Sequence, residues 1–315
     1  MLLLNKKVEL DGNKANDILA IGELLVDMVS KSDTEDSYLR FFGGSTASIA
    51  LNAKRLGANS IVCSTVGEDR LGEFLKRYLQ EANMDTDYIQ HVTDSTSLVI
   101  LNQSNGTPKP IFYRRADYKI EYTEKLENAI SNSKILHFSC WPISMLPARS
   151  TMERALEKAR QEQTLIGFDP NFHSAIWKNS EEGKEYTKFI ISKVDIVKPS
   201  EDDAERIFGA DAPEAQIEKF IKLGAKLVLL TLGESGVLVS DGATMLKMPT
   251  LATGVVNTTG AGDAFWAGFY TSIVKGDSIK EAVSCGSAAS AFKLKHLSSV
   301  AKLPNLQKLK EVYGL

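Results

Sequence analysis

The chain has 315 residues, of which 43% are hydrophobic and 24% are charged, and its formal net charge is −3. This length and apolar content are sufficient for a large buried core. The slight net charge argues against a nucleic-acid partner, and the uncharged run Ile135–Ala148 holds two prolines and is too short to span a bilayer.

The cysteines indicate a reducing compartment. Cys63, Cys140 and Cys285 lie far apart in apolar surroundings, with no Cys-x-x-Cys spacing that would suggest zinc. The opening Met-Leu-Leu-Leu is short and is followed, after Asn5, by two lysines, unlike a secretory signal. We therefore expect a cytoplasmic protein that has no membrane partner.

Strand-like apolar runs alternate with segments of helical periodicity. The predicted strands are Asp17–Met28, Ser60–Val66, Ile135–Cys140, Thr164–Asp169, Val194–Val197 and Leu227–Leu232. The predicted helices are Thr46–Leu56, Leu71–Ala82, Pro147–Gln161, Glu181–Ile191, Pro213–Leu223 and Ala261–Val274. This alternation predicts an α/β fold, with a mainly parallel sheet covered on both faces and ligands at the carboxyl ends of its strands.

One region departs from the alternation. Between Ser95 and Tyr122, two β-rich runs, Ser97–Gln103 and Pro110–Arg114, flank the turn-rich segment Ser104–Pro108. This pattern predicts a hairpin without a crossover helix. The hairpin is either a surface feature or, with parts of the segment 23–42, a small separate sheet.

A glycine-rich motif near residue 260 indicates phosphate chemistry. In Asn257-Thr-Thr-Gly-Ala-Gly-Asp263, two glycines allow close approach of the backbone to a phosphate, and an apolar helix follows. The N–H groups of Gly260, Ala261 and Gly262 would then lie at the positive end of the helix dipole. Asp263 in the first turn would take the proton of an attacking hydroxyl. The motif therefore predicts phosphoryl transfer to an alcohol, although a simple glycine turn that starts a helix is the alternative.

A second glycine pair occurs in Phe41-Phe-Gly-Gly-Ser-Thr-Ala-Ser-Ile-Ala-Leu-Asn-Ala-Lys-Arg-Leu-Gly57. Together the two stretches resemble the signatures of the ribokinase/PfkB carbohydrate kinase family, G-G-x-x-x-N-x-A…R-L-G and D-T-x-G-A-G-D. The resemblance covers nearly the whole chain. It implies a single kinase domain over residues 1–315, built as a ribokinase-like three-layer α/β/α sandwich with a small β lid. The lid would come from about residues 23–42 and 95–122.

The resemblance also implies a sugar site. Ile21-Gly-Glu-Leu-Leu-Val-Asp-Met28 resembles the family's G-E-x-L-x-D, whose aspartate, Asp27 here, binds the sugar. Gly43 and Gly44 would let the backbone approach the sugar, and Ser48 stands at the position of the family's asparagine.

Two further motifs bear on the choice of sugar. Phe112-Tyr-Arg-Arg115 resembles the F-Y-R of fructokinases and ketodeoxygluconate kinases, which assigns Tyr113 and Arg114 to the substrate. Side chains alternate along a strand, so at most one of the two faces straight into the site. Asp169–Trp177 resembles D-P-N-x-R-x-x-x-W, with His173 in place of the arginine. A histidine is a poor permanent cation, which favours a neutral sugar.

On the nucleotide side, Val197–Asp203 aligns with the family's N-x-x-E, with Ser200 and Asp203 at its ends. Asp203 would hold Mg²⁺ through water, or the pair could simply cap a helix. The resemblance to T-L-G-x-x-G and to a small-residue helix places further nucleotide contacts at Thr231, Gly233, Gly236 and Ser287. Asn257 replaces the acid that helps relatives hold a monovalent cation, and the loop Lys295–Ser298 also departs from their pattern, so we do not expect potassium activation.

These features predict an ATP- and Mg²⁺-dependent sugar kinase, most similar to the fructokinases, with Asp263 as the base. The alternative enzyme is a 2-dehydro-3-deoxygluconokinase, in which Arg114 or Arg115 would bind the acid group of the substrate. The alternative outside the enzymes is a non-catalytic sugar or nucleotide sensor. A small lid needs cover on its outer face. We therefore predict a homodimer joined through the lids, with Val99, Leu101 and Ile111 or Phe112 on that face.

Overall fold

The computed structural model describes residues 3–30, 37–101, 110–296 and 301–315. Within these ranges, strands and helices alternate. The strands are β1 Asn16–Ile21, β2 Leu25–Ser30, β3 Tyr38–Gly43, β4 Ser60–Gly67, β5 Ile89–Val92, β6 Leu98–Leu101, β7 Ile111–Tyr113, β8 Ser133–Ser139, β9 Leu165–Asp169, β10 Ile196–Val197, β11 Leu227–Thr231, β12 Val237–Ser240 and β13 Met245–Met248.

The helices begin and end close to capping residues. They are α1 Ser45–Leu56, α2 Arg70–Glu81, α3 Glu124–Ser131, α4 Cys140–Ile143, α5 Ala148–Gln161, α6 Ser180–Ile191, α7 Glu201–Phe208, α8 Pro213–Leu223, α9 Ala261–Val274, α10 Ile279–Leu294 and α11 Leu306–Tyr313. At α2, for example, the Asp69 side chain accepts from the N–H groups of Leu71 and Gly72. Among the described residues, none of the helices combines the length and hydrophobicity that crossing a bilayer requires.

In the described part of the chain, the large sheet has nine strands in the order β13-β12-β11-β10-β9-β8-β1-β4-β5. The strands from β11 to β5 pair in parallel, and β12 and β13 are antiparallel. Alternate β1 residues enter different cores: Leu19 and Ile21 pack in one cluster, while Ile18 packs in another with α9 and α10. The three-layer α/β fold with a mainly parallel sheet is therefore confirmed.

The predicted single strand Asp17–Met28 is wrong. The chain leaves the large sheet after Ile21 and enters a second sheet at Leu25, because the Gly22–Leu24 segment turns between them. An apolar run gives no indication of such a change of partner, since both halves are buried.

The second sheet has the strand order β3-β2-β6-β7 and contains the predicted hairpin. Its strands β2 and β3 pair antiparallel, and β2 and β6 pair in parallel. The hairpin turn Ser104–Pro108 lies outside the described residues. The small sheet is thus built from the two segments that the sequence had suggested for a lid.

Candidate active site

A cavity of about 390 Å³ opens at the carboxyl ends of the central strands, beneath the small sheet. Parallel strands bring their carboxyl ends to one edge, so residues distant in sequence meet there. The charged side chains among its described lining residues are Glu23, Asp27, Asp169, Lys198, Asp203 and Asp263. The cavity is therefore acidic, with an ammonium group on one wall.

Asp263 lies in the first turn of α9. The helix begins after Gly260, whose φ of 81° is left-handed and suits glycine. The Ser45 hydroxyl, in the first turn of α1, donates a 2.6 Å hydrogen bond to Asp263 Oδ1. Burial raises the pKa of Asp263 to about 7, and the charges of Asp169 and Glu23 add to the rise, while the Ser45 bond and Lys198 oppose it.

The N-terminal end of α9 presents backbone donors to the same cavity, which Gly260 and Gly262 line. The first N–H groups of a helix have no intrahelical acceptor and lie at its positive end. The Ala261 N–H instead donates to the carbonyl of Thr258 at 3.1 Å. Of the predicted donors, Gly260 and Gly262 are thus the ones that border the cavity.

Lys198 was not predicted as a site residue. Its side chain is buried, its Nζ lies 3.2 Å from Asp169 Oδ2, and Asp169 also accepts a 2.9 Å bond from Trp266 Nε1. A Cβ added at Gly262 would come within 3.3 Å of the Lys198 Nζ, so the ammonium lies directly beside the start of α9. The sequence signal was the single lysine before Pro199, at the end of a buried strand.

Asp27 and Gly43 are neighbours across the β2–β3 ladder. The carboxyl group of Asp27 lies so close that a Cβ at Gly43 would be 2.6 Å from it. Gly44 has φ 100°, and a Cβ there would be 2.3 Å from the Glu23 carbonyl oxygen. A side chain at Gly43 would therefore displace the Asp27 carboxyl group, whereas the backbone at Gly44 itself requires glycine for the entry into α1.

Glu23 is a second residue that the sequence did not single out. Its Oε1 accepts the Ser45 N–H at 2.8 Å, so it acts on the residue whose hydroxyl bonds Asp263. Burial raises the pKa of Glu23 to about 7. Burial also raises the pKa of Asp27 to about 7, and the charge of Glu23 contributes. Three carboxyl groups around one cavity thus titrate near neutrality.

Polar and aromatic residues complete the walls. Ser48 is buried on α1 and lines the cavity, as do Trp141 and Asn171. Asn171 has φ 36°, a backbone conformation that residues other than glycine seldom adopt and that is concentrated at functional sites.

The structure places Tyr113 and Arg114 away from the cavity lining. Tyr113 is 54% exposed. The Arg114 side chain is buried and pairs with Asp117 at 2.7 Å. It also donates to Ser144 Oγ at 2.6 Å and stacks on the Trp141 ring at 4.5 Å. Arg114 thus supports Trp141 from behind, and its assignment to the substrate remains a prediction.

His173 lies on a neighbouring surface cavity with Arg206 and Lys184. Its Nδ1 accepts the Ala175 N–H at 3.2 Å, and its ring packs edge-on against Phe112 at 5.0 Å. Because the ring caps a turn outside the main cavity, its neutrality is weak evidence on the choice of sugar.

Ser200 and Asp203 form a capping box at the start of α7 and line the cavity. Asp203 Oδ2 accepts from both the N–H and the hydroxyl of Ser200, and Oδ1 accepts from Phe172 N–H at 2.7 Å. The capping alternative is thus present in the structure. Among the described residues no group of three or more His, Cys, Asp or Glu is arranged to hold a metal ion.

The predicted nucleotide residues spread outward from the cavity. Thr231 lines it and bonds Pro199 O through its N–H at 3.0 Å. Gly233 follows in an exposed turn, and Gly236 lies so close to β13 that a Cβ would be 2.1 Å from Met248 O. Ser287 is half-buried on α10. Gly233, Gly236 and Ser287 lie beyond the cavity lining.

The predicted outer face of the lid is wrong for two residues. Val99 is in register with Asp27, and Leu101 with Val29, so both point to the same side of the sheet as Asp27, and Val99 lines the cavity. Pairing across a ladder keeps side chains on one face, and the register was unknown from sequence. The opposite face carries Ile111, as predicted, and Tyr113, which are 46% and 54% exposed, whereas Phe112 lies on the side of Val99.

The family model described as "pfkB family carbohydrate kinase" matches residues 15–306. The chain is 50% identical to the ATP-dependent 6-phosphofructokinase of Thermoanaerobacterium thermosaccharolyticum, over 100% of this chain and 99% of that protein.

Solved structures show the same fold. The fructokinase of Halothermothrix orenii superposes with a TM-score of 0.78 at 36% identity, covering 86% of this chain and 97% of that one. A double-mutant fructokinase of Vibrio cholerae, solved with fructose, ADP and a potassium ion, gives a TM-score of 0.84 at 23% identity, covering 95% and 99%.

Proposed function

The chain belongs to the pfkB family of carbohydrate kinases, and we propose that it transfers a phosphoryl group from ATP to a hydroxyl of a fructofuranose, with free fructose as the first candidate. The observation that carries this proposal is the position of Asp263. A carboxyl group in the first turn of α9 borders a cavity that also holds Asp27, the predicted sugar-binding acid.

In this proposal Asp263 accepts the proton of the attacking hydroxyl. Its raised pKa suits a base that works near neutral pH. The N–H groups at the start of α9 and the Lys198 ammonium stabilise the charge that develops on the phosphoryl oxygens. Positioning and electrostatics contribute most in such a reaction, because the protein forms no covalent bond.

The other acids hold the sugar and the nucleotide's metal. Asp27 accepts hydrogen bonds from sugar hydroxyls, while Gly43 and Gly44 allow the backbone at the start of α1 to lie close to the sugar. Mg²⁺ neutralises phosphate charge when it is bound with ATP. Asp203 Oδ1 accepts one hydrogen bond, from the Phe172 N–H, and can accept another. This atom would accept a hydrogen bond from a water bound to that ion.

The acidic lining favours a neutral acceptor. A phosphate or carboxylate on the sugar needs cations nearby, and the cation among the described lining residues, Lys198, is paired with Asp169. Arg114 is likewise paired with Asp117, which weakens the case for a 2-dehydro-3-deoxygluconate acceptor.

A second candidate acceptor is fructose 6-phosphate. The observation that favours it is the 50% identity, over the whole chain, to a protein named ATP-dependent 6-phosphofructokinase. Arg115, exposed on the chain just after β7, is a described cation that a sugar phosphate at the lid edge would meet.

Initial rates with fructose, fructose 6-phosphate, 2-dehydro-3-deoxygluconate and ribose test the proposal directly. We expect the highest kcat/KM with fructose. A kcat/KM for fructose 6-phosphate that is at least tenfold higher establishes the second candidate, and turnover of none of the four sugars removes the proposed function and leaves the sensor alternative.

We further propose a cytoplasmic homodimer that pairs through the small sheets. The exposed apolar residues Ile111 and Tyr113, which lie on one face of this sheet, support the pairing. The three buried free cysteines fit a reducing compartment.

A further inference from the structure

Lys293 is a completely buried lysine near the end of α10. Its Nζ donates to the carbonyl oxygen of Asn257 at 2.7 Å and lies 3.4 Å from that of His296. Lysine is almost never fully buried without a partner that offsets the loss of hydration. Here the partners are backbone carbonyl groups, which are neutral, so the ammonium keeps its net charge inside the protein.

The position of this ammonium group, beside the loop that precedes α9, indicates its role more directly than its burial does. Asn257 starts the loop that ends at Gly260, where α9 and its N–H groups begin. The Asn257 side chain Oδ1 accepts the Thr259 N–H at 2.9 Å, and the Val256 N–H donates to Leu294 O at 2.7 Å. Lys293 and Leu294 therefore fasten the loop before the phosphate-binding turn to the last turn of α10.

Two electrostatic features favour a cation at this point. The carbonyl end of α10 is the negative end of its dipole. Asp263 is near enough that its charge raises the pKa of Lys293, although burial lowers that pKa to about 8 overall. At neutral pH the ammonium is thus largely charged and acts on the same region as the catalytic carboxyl group.

We infer that Lys293 is a tethered monovalent cation, whose ammonium takes the carbonyl ligands and supplies the charge that a bound K⁺ or NH₄⁺ would otherwise provide beside the phosphate-binding turn. Backbone carbonyl oxygens are the ligands of K⁺ in proteins, and an ammonium binds them through hydrogen bonds. The inference rests on the proposed function. Lys293 is a positioning residue, because it acts through the Asn257 loop and does not touch the acceptor.

The test compares monovalent cations. Initial rates are measured in tetramethylammonium buffer, with and without added K⁺, using the acceptor that the unmodified enzyme turns over best. The unmodified enzyme should change less than twofold. Lys293→Ala should lose roughly 10- to 100-fold in kcat without K⁺, as expected for a lost electrostatic contact. Added K⁺, NH₄⁺ or methylammonium should restore much of the rate in a saturable way, and Li⁺ should not.

Two further variants serve as controls. Lys295→Ala removes an exposed lysine two residues away and should show no cation dependence. Lys293→Met keeps the unbranched stem and fills the space, so its loss of rate should resist rescue by K⁺. If Lys293→Ala does not fold, the Lys293→Met variant and the response of the unmodified enzyme decide the matter.

Three results overturn the inference. The first is a several-fold activation of the unmodified enzyme by K⁺, which shows that a separate ion binds. The second is full activity of folded Lys293→Ala, or of folded Lys293→Met, without K⁺. The third is a folded, inactive Lys293→Ala that no cation rescues. If no sugar is turned over, the proposed function fails, and the cation dependence of ADP binding to Lys293→Ala, measured by calorimetry, still tests the role of Lys293.

Discussion

The hydroxyl of Ser45 donates a 2.6 Å hydrogen bond to Asp263 Oδ1, although 218 residues separate the two in sequence. Ser45 follows the glycine pair that opens α1, and Asp263 follows the glycine turn that opens α9. The bond therefore joins the two glycine motifs, for which we propose sugar binding and phosphate binding, at the proposed base. Because the Ser45 N–H also bonds Glu23, the orientation of the hydroxyl depends on a third buried residue.

Asp263→Asn keeps the shape of the side chain and removes the base. We expect kcat to fall by roughly 10²–10⁴, while the Kd for ADP stays within about threefold, since a charge near phosphate is lost and no donor is removed. Steady-state kinetics and calorimetry measure the two quantities. Asp202→Asn, which alters an exposed acid on α7, is the control. Near-normal turnover by Asp263→Asn contradicts the assignment of the base.

The free enzyme should lose kcat/KM as the pH falls through about 7. The pKa of Asp263 is raised to about 7, so the carboxyl group is protonated, and unable to accept a proton, below that pH. A single group predicts a tenfold loss per pH unit on the acid side. The pH profile of kcat/KM with the best acceptor measures it. A flat profile between pH 5 and 7 rules out Asp263 as the titrating base.

Ser45→Ala should move this acid limb to higher pH. The lost hydrogen bond stabilises the ionised form of Asp263, and a bond to a charged group is worth about 1.5–3 kcal/mol, or roughly one to two pH units. Ser284→Ala, which removes an exposed hydroxyl on α10, should leave the profile unchanged. An unshifted profile in Ser45→Ala means that the hydroxyl does not hold the base.

Ionisation of Asp263 should also lower the free energy of unfolding of the ligand-free protein. The pKa of this carboxyl group is higher in the folded than in the unfolded protein. Its contribution to stability is therefore fully present below the unfolded pKa, and this contribution is lost as the pH rises through about 7. Asp263→Asn should therefore raise Tm at pH 8 by about 2–4 °C and leave it unchanged near pH 4. Thermal scans of both proteins at the two pH values provide the test, and an equal change at both argues against the raised pKa.

Arg114→Met should destabilise the fold. The substitution leaves the fully buried Asp117 without its ion-pair partner, at a cost of about 3–5 kcal/mol in the free energy of unfolding. Arg115→Met changes the neighbouring, exposed arginine and should stay within about 0.5 kcal/mol. Urea unfolding of the two variants separates this structural role from direct contact with substrate. Unchanged stability of Arg114→Met, together with a large rise in the sugar KM, supports the contact instead.

Ile111→Glu and Tyr113→Glu should convert the proposed dimer to monomers, since both place a charge on the exposed face of the small sheet. Val312→Glu, at an equally exposed apolar position on α11, is the control and should remain dimeric. Sedimentation at micromolar concentration distinguishes the states. If the unmodified protein is itself a monomer there, pairing through the lids is excluded.

The sequence by itself determined the fold class and the two ends of the site. The alternation of strands and helices specifies a parallel sheet. Glycine motifs mark positions where the backbone can adopt a positive φ, as it does at Gly44 (100°) and Gly260 (81°). Local backbone constraints of this kind depend on adjacent residues, so they can be predicted from the sequence. For the same reason, Asp263, the acid that follows Gly262, could be proposed as a base from the sequence.

Tertiary structure alone decided which side chains reach the cavity. Strand register put Val99 beside Asp27. The face on which the Val99 side chain lies is determined by the pairing of β6 with β2, which the hairpin pattern does not specify. Packing paired Arg114 with Asp117, and it brought Glu23, Lys198 and Lys293 to their positions around α9. Burial then raised the carboxyl pKa values. These properties depend on contacts between distant segments, which the linear pattern does not encode.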